Sequence, residues 1–393
     1  MPSDQPAHPA AVVAQAALRQ MEQRLPEFLA DLRTLVNMDS GSYDRADVAR
    51  VGAWARARCG QWGAAIEEHP AADFADSFAA TVRGTGQGTA VLLAHLDTVF
   101  PHGTAAERPY SVAGERAHGP GVCDMKAGLL AGIYAIEALR ALAPERYATL
   151  RLVCNTDEEV GSPSSRAFIE RMAAGADAVL VLEAGRENGD IVGQRRGGGF
   201  YRLVVSGRSA HAGVEPEKGR SALLTLSRQV VALHALTDLA AGRTVNVGSA
   251  HSGSRPNIVP DHAEAEVDLR ANTAADIEIL TRGADAALRE AAIEGTTYTW
   301  EAARFRPPWE ANPGTTRLAA LADEIAHALG FSVRAAATGG MSDGNFTAAH
   351  GIATLDGLGP IGGLDHSPLE YVEIPSIAPR TALLAGLIAG ARG

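Results

Sequence analysis

The chain has 393 residues, a formal charge of −11 and three cysteines. Its length exceeds one ordinary core and predicts two domains, or one domain carrying an insertion; 46% hydrophobic and 21% charged residues are ordinary globular values. The acidic balance argues against a nucleic-acid partner, because no basic stripe is available to follow phosphates. Cys59, Cys123 and Cys154 include no CxxC pair, which argues against a disulfide framework or a thiolate zinc site.

The opening, MPSDQPAHPAAVVAQAALRQM, lacks a basic segment followed by a sustained apolar one, so no signal peptide is expected. No run approaches about 18 apolar residues, so no membrane span is expected either. The expected compartment is the cytoplasm, or the periplasm if a leader has been removed. Residues 10–37 and 44–62 read as helices. Strands are expected at TAVLLAHL (89–96), TLRLVCNT (149–156), DAVLVLE (177–183) and GIATLDGL (351–358). Their centres are continuously apolar, as in parallel strands buried on both faces. Amphipathic helices at 125–142 and 316–330 complete an α/β, doubly wound, mostly parallel sheet.

Residues from about 195 to 306 have another rhythm. Strands at 200–207, 244–250, 263–270 and 297–305 surround helices at 220–236 and 275–293. The order βαββαβ is that of a ferredoxin-like α+β unit. The expected division is therefore 1–194 with 307–393 as one discontinuous domain and 195–306 as its insert, with RRGGGF (195–200) and FRPPWEANPG (305–314) as hinges.

In open α/β sheets, ligands bind beyond the carboxyl ends of the strands. There the first strand carries His95 and Asp97, two apart and so on one side of an extended chain. An imidazole can bind a divalent ion through one nitrogen while a carboxylate holds the proton of the other; alone, the pair reads equally well as a surface turn. Asp124 follows a glycine-rich approach to a helix and could be no more than an N-cap. Asp157, Glu158 and Glu159 stand side by side after the second strand, where mutual repulsion is unfavourable unless solvent or a cation relieves it. Glu183 follows the third strand, and His366 lies in the glycine-rich turn GGLDHSPLE.

Together these groups form a set of imidazole and hard oxygen without thiolate, suited to zinc, cobalt or manganese in an enzyme site. Two histidines and three carboxylates exceed one tetrahedral ion and suit two ions bridged by a carboxylate. One glutamate of the acidic run then binds metal, and its neighbour is free to move a proton.

HLDTV (95–99), GPGVCDMKAG (119–128), TDEEVGS (156–162), Glu183 and GGLDHS (362–367) resemble the dinuclear-zinc metallopeptidases. That family includes glutamate carboxypeptidase of the folate-hydrolysing type, acetylornithine deacetylase, succinyl-diaminopimelate desuccinylase and aminoacylase. The resemblance covers nearly the whole chain past residue 25 and is nearest to glutamate carboxypeptidase. It implies two zinc ions per chain, with cobalt or manganese as possible substitutes. His95 and Glu183 would bind one ion, Glu159 and His366 the other, and Asp124 would bridge them. Glu158 would be the general base and acid, taking a proton from water and returning it to the leaving amine, while Asp97 would orient His95.

The insert then corresponds to a lid and dimerisation domain, and a homodimer through it is expected. In GRSAHAGVEP (207–216), His211 matches a histidine that stabilises the tetrahedral oxyanion; Asn257 and Arg270 match substrate-facing residues. Arg306 matches an arginine that clamps the substrate carboxylate, for which a guanidinium fork is suited. The plainer alternatives are a surface loop for His211, a strand-edge salt bridge for Arg270 and hinge solvation for Arg306. Gly339 and Gly340 are expected to bring backbone amides near the substrate. The segment AGREN after Glu183 departs from the glutamate carboxypeptidase pattern, Cys123 reads as packing, and His102 and His118 read as solvated loop residues.

The implied function is hydrolysis of the amide bond to a C-terminal amino acid in a small N-acyl or peptidyl substrate. The alternatives are a deacylase of small N-acyl amino acids, a dipeptidase and, more remotely, a non-catalytic metal- or peptide-binding protein.

Overall fold

The computed structural model describes residues 8–392. These fall into two compact units. The first holds the described residues up to Gln194, Ala311–Thr338 and those from Ser342 onward; the second holds Arg195–Glu310 and Gly339–Met341.

In the first unit a six-stranded sheet runs in the order Ala65–His69, Ser77–Arg83, Thr149–Asn155, Thr89–His95, Ala178–Val181, Thr354–Leu355. The last four are mutually parallel, as their unbroken apolar centres predict. Leu92, Leu152 and Leu180 stand abreast and enter one core, while Val91, Val153 and Val179 enter the core on the opposite face. Each such buried side chain contributes about 1.5–3 kcal/mol. Helices Pro9–Val36, Ala127–Leu142 and Ile374–Ala389 belong to the Leu92 side, and Arg166–Ala173 to the other. Among the described residues no helix is long and apolar enough to cross a membrane.

Two features of this unit differ from expectation. Ala65–His69 and Ser77–Arg83 add an antiparallel edge where no strand was expected. Four of the five residues of AIEEH are exposed, so that outer strand carries almost no apolar signal. GIATLDGL yields only Thr354–Leu355, because Asp356 and the left-handed Gly357 (φ 66) turn the chain out of the sheet.

The second unit is a four-stranded antiparallel sheet in the order Thr244–Ser252, His262–Ala271, Gly197–Ser206, Thr297–Arg306. Helices Ala222–His234 and Ala274–Ala291 supply Leu226, Leu233, Leu280 and Leu288 to a core with Leu203, Val205, Val267 and Leu269. The connectivity is the expected βαββαβ. Gly197–Gly199, expected within a hinge, instead continue the strand. A Cβ on Gly198 would lie 1.8 Å from the Leu269 carbonyl oxygen, so the glycines serve close strand packing.

Candidate metal centre

The parallel register brings the chemistry to one edge. His95 pairs with Asn155 at matching strand ends, and the Leu182 amide bonds the Leu93 carbonyl. Asp97, Glu158, Glu159 and Glu183 therefore leave the sheet together. His95 is 3% exposed; its Nε2 lies 3.0 Å from Asp124 Oδ1 and 3.7 Å from Glu183 Oε1. His366 Nε2 lies 3.2 Å from Asp124 Oδ2 and 3.1 Å from Glu159 Oε2. The two oxygens of Asp124 are thus divided between two imidazoles. His366 sits in a left-handed turn, φ 60, just after Leu364 at φ 56. Asp365, not singled out from sequence, joins Asp124 and His366 in a potential three-ligand cluster, as Glu183 joins His95 and Asp124.

The electrostatics are those of carboxylates crowded together in a buried place. Burial raises the Glu159 carboxyl to about 8, only partly offset by the His366 hydrogen bond. Burial and then the Asp124 charge raise Glu183 to about 7. Burial also acts on Asp124, but hydrogen bonds from His366 and His95 outweigh it and hold this carboxyl well below its ordinary value. Hydrogen bonds to Asp124 and Glu159 push His366 up to about 11. Among the described residues Glu159 Oε1 is buried with no hydrogen-bond partner, an acceptor that a cation would satisfy. The donor set is neutral nitrogen and carboxylate oxygen, so these residues fit divalent metal.

The three carboxylates after the second strand have separate fates, set by the 3₁₀ turn Glu158–Val160. Asp157 is fully buried and turns inward, accepting bonds from Ser164 N (2.7 Å), Ser165 N (3.2 Å) and Ser165 Oγ (2.5 Å). Glu159 meets His366. Glu158 is 8% exposed, and its amide and that of Glu159 each donate to the Asp97 carboxylate at 3.2 Å. Ser42 Oγ donates to the same carboxylate at 2.7 Å.

Asp97 also meets His95, chiefly through its main chain. His95 Nδ1 bonds the backbone carbonyl of Asp97 at 2.9 Å, with the carboxylate Oδ1 at 3.5 Å. His118, expected in a solvated loop, is half-buried in a strand with Nδ1 3.1 Å from the Glu370 carbonyl oxygen. His102 is exposed and bonds Asp47 at 2.6 Å. The three cysteines are free and buried, with the Cys123 thiol pushed well above its ordinary value by burial.

The remaining expected residues belong to the second unit. His211 is exposed, and its Nδ1 accepts from the Gly213 amide at 3.2 Å. Asn257 is exposed, its carbonyl accepting from the Ala212 amide at 3.0 Å. Arg270 Nε reaches Asp268 at 2.9 Å and its Nη1 the Gly339 carbonyl at 3.0 Å, so the strand-edge ion pair exists. Arg306 ends its strand at 7% exposure. Gly339 and Gly340 are exposed, and a Cβ on either would meet nothing closer than 3.6 Å.

The model of peptidase family M20/M25/M40 matches residues 91–390. Carboxypeptidase G2 of Pseudomonas sp. (strain RS-16) is 28% identical over 371 residues, covering 92% of this chain and 89% of that protein. Succinyl-diaminopimelate desuccinylase of Leptothrix cholodnii is 27% identical over 346 residues, 80% of this chain and 86% of that one. The crystal structure of the aminopeptidase PepT of Bacillus cereus aligns with a TM-score of 0.78 at 23% identity, over 94% of this chain and 99% of that one, a likeness of fold.

Proposed function

The chain belongs to peptidase family M20/M25/M40 and is a metal-dependent exopeptidase or amidohydrolase; from that premise we propose that it cleaves the amide bond to a C-terminal amino acid. The observation that carries the reading is the division of the Asp124 oxygens, one 3.0 Å from His95 Nε2 and the other 3.2 Å from His366 Nε2. A carboxylate so shared suits a bridge between two ions. His95 and Glu183 would hold one zinc, Glu159 and His366 the other; cobalt or manganese would substitute. Bound there, the pair supplies a water of lowered pKa and polarises the substrate carbonyl.

Glu158 takes the proton of the attacking water and returns it to the leaving amine, which balances the step. Its neighbour Glu159 is committed to metal, so adjacent glutamates hold different protonation tasks. Asp97 steadies both through their amides and His95 through its carbonyl. The unit carrying the centre is the catalytic domain, and the other serves as lid and dimerisation domain. Two edge strands, Thr244–Ser252 and Thr297–Arg306, favour a homodimer through that unit. His211 is assigned to the oxyanion and Arg306 to the substrate carboxylate, with Asn257, Arg270, Gly339 and Gly340 as further substrate contacts.

The likeness to carboxypeptidase G2 favours a carboxypeptidase; that to succinyl-diaminopimelate desuccinylase supports a second reading, a deacylase of small N-acyl amino acids. Initial rates of the zinc-loaded chain on N-acyl amino acids and dipeptides test this, with C-terminal residues ranging from glutamate through neutral ones to ornithine. Preference for glutamate or aspartate supports the Arg306 assignment; preference for neutral or basic residues moves the enzyme to the deacylases or dipeptidases. Glu158→Ala should abolish turnover and retain metal; loss of both would remove the role given to Glu158.

A further inference from the structure

Glu370 is a carboxylate only 1% exposed, and the chemistry above gives it no task. Its Oε1 accepts hydrogen bonds from the backbone amides of Cys123 at 2.8 Å and Asp124 at 3.0 Å; its Oε2 accepts one from the Gly121 amide at 2.9 Å. Gly121 has φ 70, a left-handed conformation that turns successive amides inward to form an anion-binding concavity. One side chain therefore gathers the loop that presents Asp124, including the amide of Asp124 itself.

That side chain also lies four residues after His366. The turn between them is stapled by Ser367, whose Oγ donates to the Leu364 carbonyl at 2.6 Å and accepts from the Leu369 amide at 3.2 Å. Beyond the turn, Tyr371 pairs with His118 in an antiparallel ladder, and the Glu370 carbonyl lies 3.1 Å from His118 Nδ1. The main chain at Glu370 is anchored on one side while its carboxylate grips the Asp124 loop on the other. Two turns distant in sequence, each presenting a proposed ligand, are thus tied by one rigidly mounted group.

We infer that Glu370 is a positioning residue that sets the spacing of Asp124 and His366, an inference that rests on the dinuclear reading above. Its influence is unequal on the two ions. The ion assigned to Glu159 and His366 depends on both turns that Glu370 joins. The ion assigned to His95 and Glu183 shares only Asp124, and its other two ligands leave the parallel sheet directly. Loosening Glu370 therefore weakens the first ion more than the second.

The test is stepwise titration of the metal-free full chain with Co²⁺ alone, followed by calorimetry and by visible absorption. The wild type should take up two ions. In Glu370→Gln the amide oxygen can still accept from Cys123 and Asp124, so the loop stays packed, but its NH₂ opposes the Gly121 amide. One cobalt should then bind within about threefold of its wild-type affinity, and the other about 10- to 100-fold more weakly, the usual range for losing a group that supports a ligand. The cobalt spectrum of the more weakly bound ion should change with it. Glu370→Asp keeps the carboxyl group but shortens the reach, and should give the same asymmetry to a smaller degree; it decides the matter if the glutamine variant does not fold. Equal weakening of both ions, or unchanged affinity for both, overturns the inference. Fewer than two ions on the wild type would sink the dinuclear reading itself, before any variant is compared.

Discussion

Replacing Asp97 by alanine separates two ways in which this residue could serve the site. Its carboxylate is 1% exposed and accepts three hydrogen bonds, from Ser42 Oγ, Glu158 N and Glu159 N. The Ser42 hydroxyl can rotate to another acceptor, but the two amides cannot. Orphaning a buried donor costs about 1–3 kcal/mol, so the turn should lose about 2–6 kcal/mol, and about 3 if water enters the space and satisfies part of the loss. At about 1.4 kcal/mol per factor of ten, deuterium exchange of the amides in residues 156–162 should accelerate roughly 100-fold in the metal-free protein. Turnover of the metal-loaded protein should fall at least about tenfold, because Glu158 sits on the loosened turn. His95 should remain oriented, since its Nδ1 bonds the Asp97 backbone carbonyl, which no side-chain substitution removes. The reasoning is refuted if exchange over 156–162 is unchanged while affinity for the ion on His95 drops.

Removing metal should make stability strongly pH-dependent. Glu159 and Glu183 have native values of about 8 and 7 against ordinary values of 4.5, so the metal-free native chain binds extra protons over that range. Stability then falls as pH rises from about 5 to 8; melting curves of chelated protein should show this decline, and zinc-loaded protein should not. Glu27 gives the opposite sign: hydrogen bonding to Arg24, opposed by burial and aided by Arg58, holds it at about 2, so its contribution is present above its ordinary 4.5 and is lost as pH falls towards 2. The melting-temperature gap between wild type and Glu27→Gln should therefore be small at pH 7, as for exposed pairs, and vanish near pH 2. Gly128→Ala should destabilise by at least about 2 kcal/mol, because the new Cβ would lie 1.8 Å from the Leu182 carbonyl oxygen. Gly60→Ala, with nothing within 4 Å of the new Cβ at a helix end, should be neutral or stabilising by up to about 1 kcal/mol. Thermal melts of the two variants check both.

The parallel strands were legible because burial on both faces leaves an unbroken apolar run, as in Leu92–Ala94 and Leu152–Cys154. The outer strand Ala65–His69 was not, since four of its five side chains face water. The meeting of His95, Glu159 and Glu183 was legible for a related reason: polar residues just after buried parallel strands have one edge on which to meet, whereas Asp124 and His366 lie in glycine-rich loops and stood out through the family resemblance. What holds those groups was much less so. Asp157 looked like a member of an acidic run, yet its partners Ser164 and Ser165 lie seven and eight residues away. Glu370 takes its partners from Gly121–Asp124, a pairing that no local pattern signals.

Asp97, Asp157 and Glu370 share one physical device. Each is a buried carboxylate that accepts backbone amides: Asp97 those of Glu158 and Glu159, Glu370 that of Asp124 among others, and Asp157 those of Ser164 and Ser165, just past the turn that carries the two glutamates. Such a group, when ionised, forms hydrogen bonds about twice as strong as a neutral acceptor, against a cost of burial that raises Glu370 to about 7 and Asp157 above its ordinary value. The disadvantage is additional negative charge near carboxylates that already repel one another. That repulsion opposes the metal-free fold and favours a bound dication, whose charge answers the ligands and their supports together. The same three groups can therefore stiffen the turns and deepen the potential into which a cation falls. Neutralising one of them without breaking its amide contacts would be expected to lower metal affinity more than it lowers the stability of the metal-free protein.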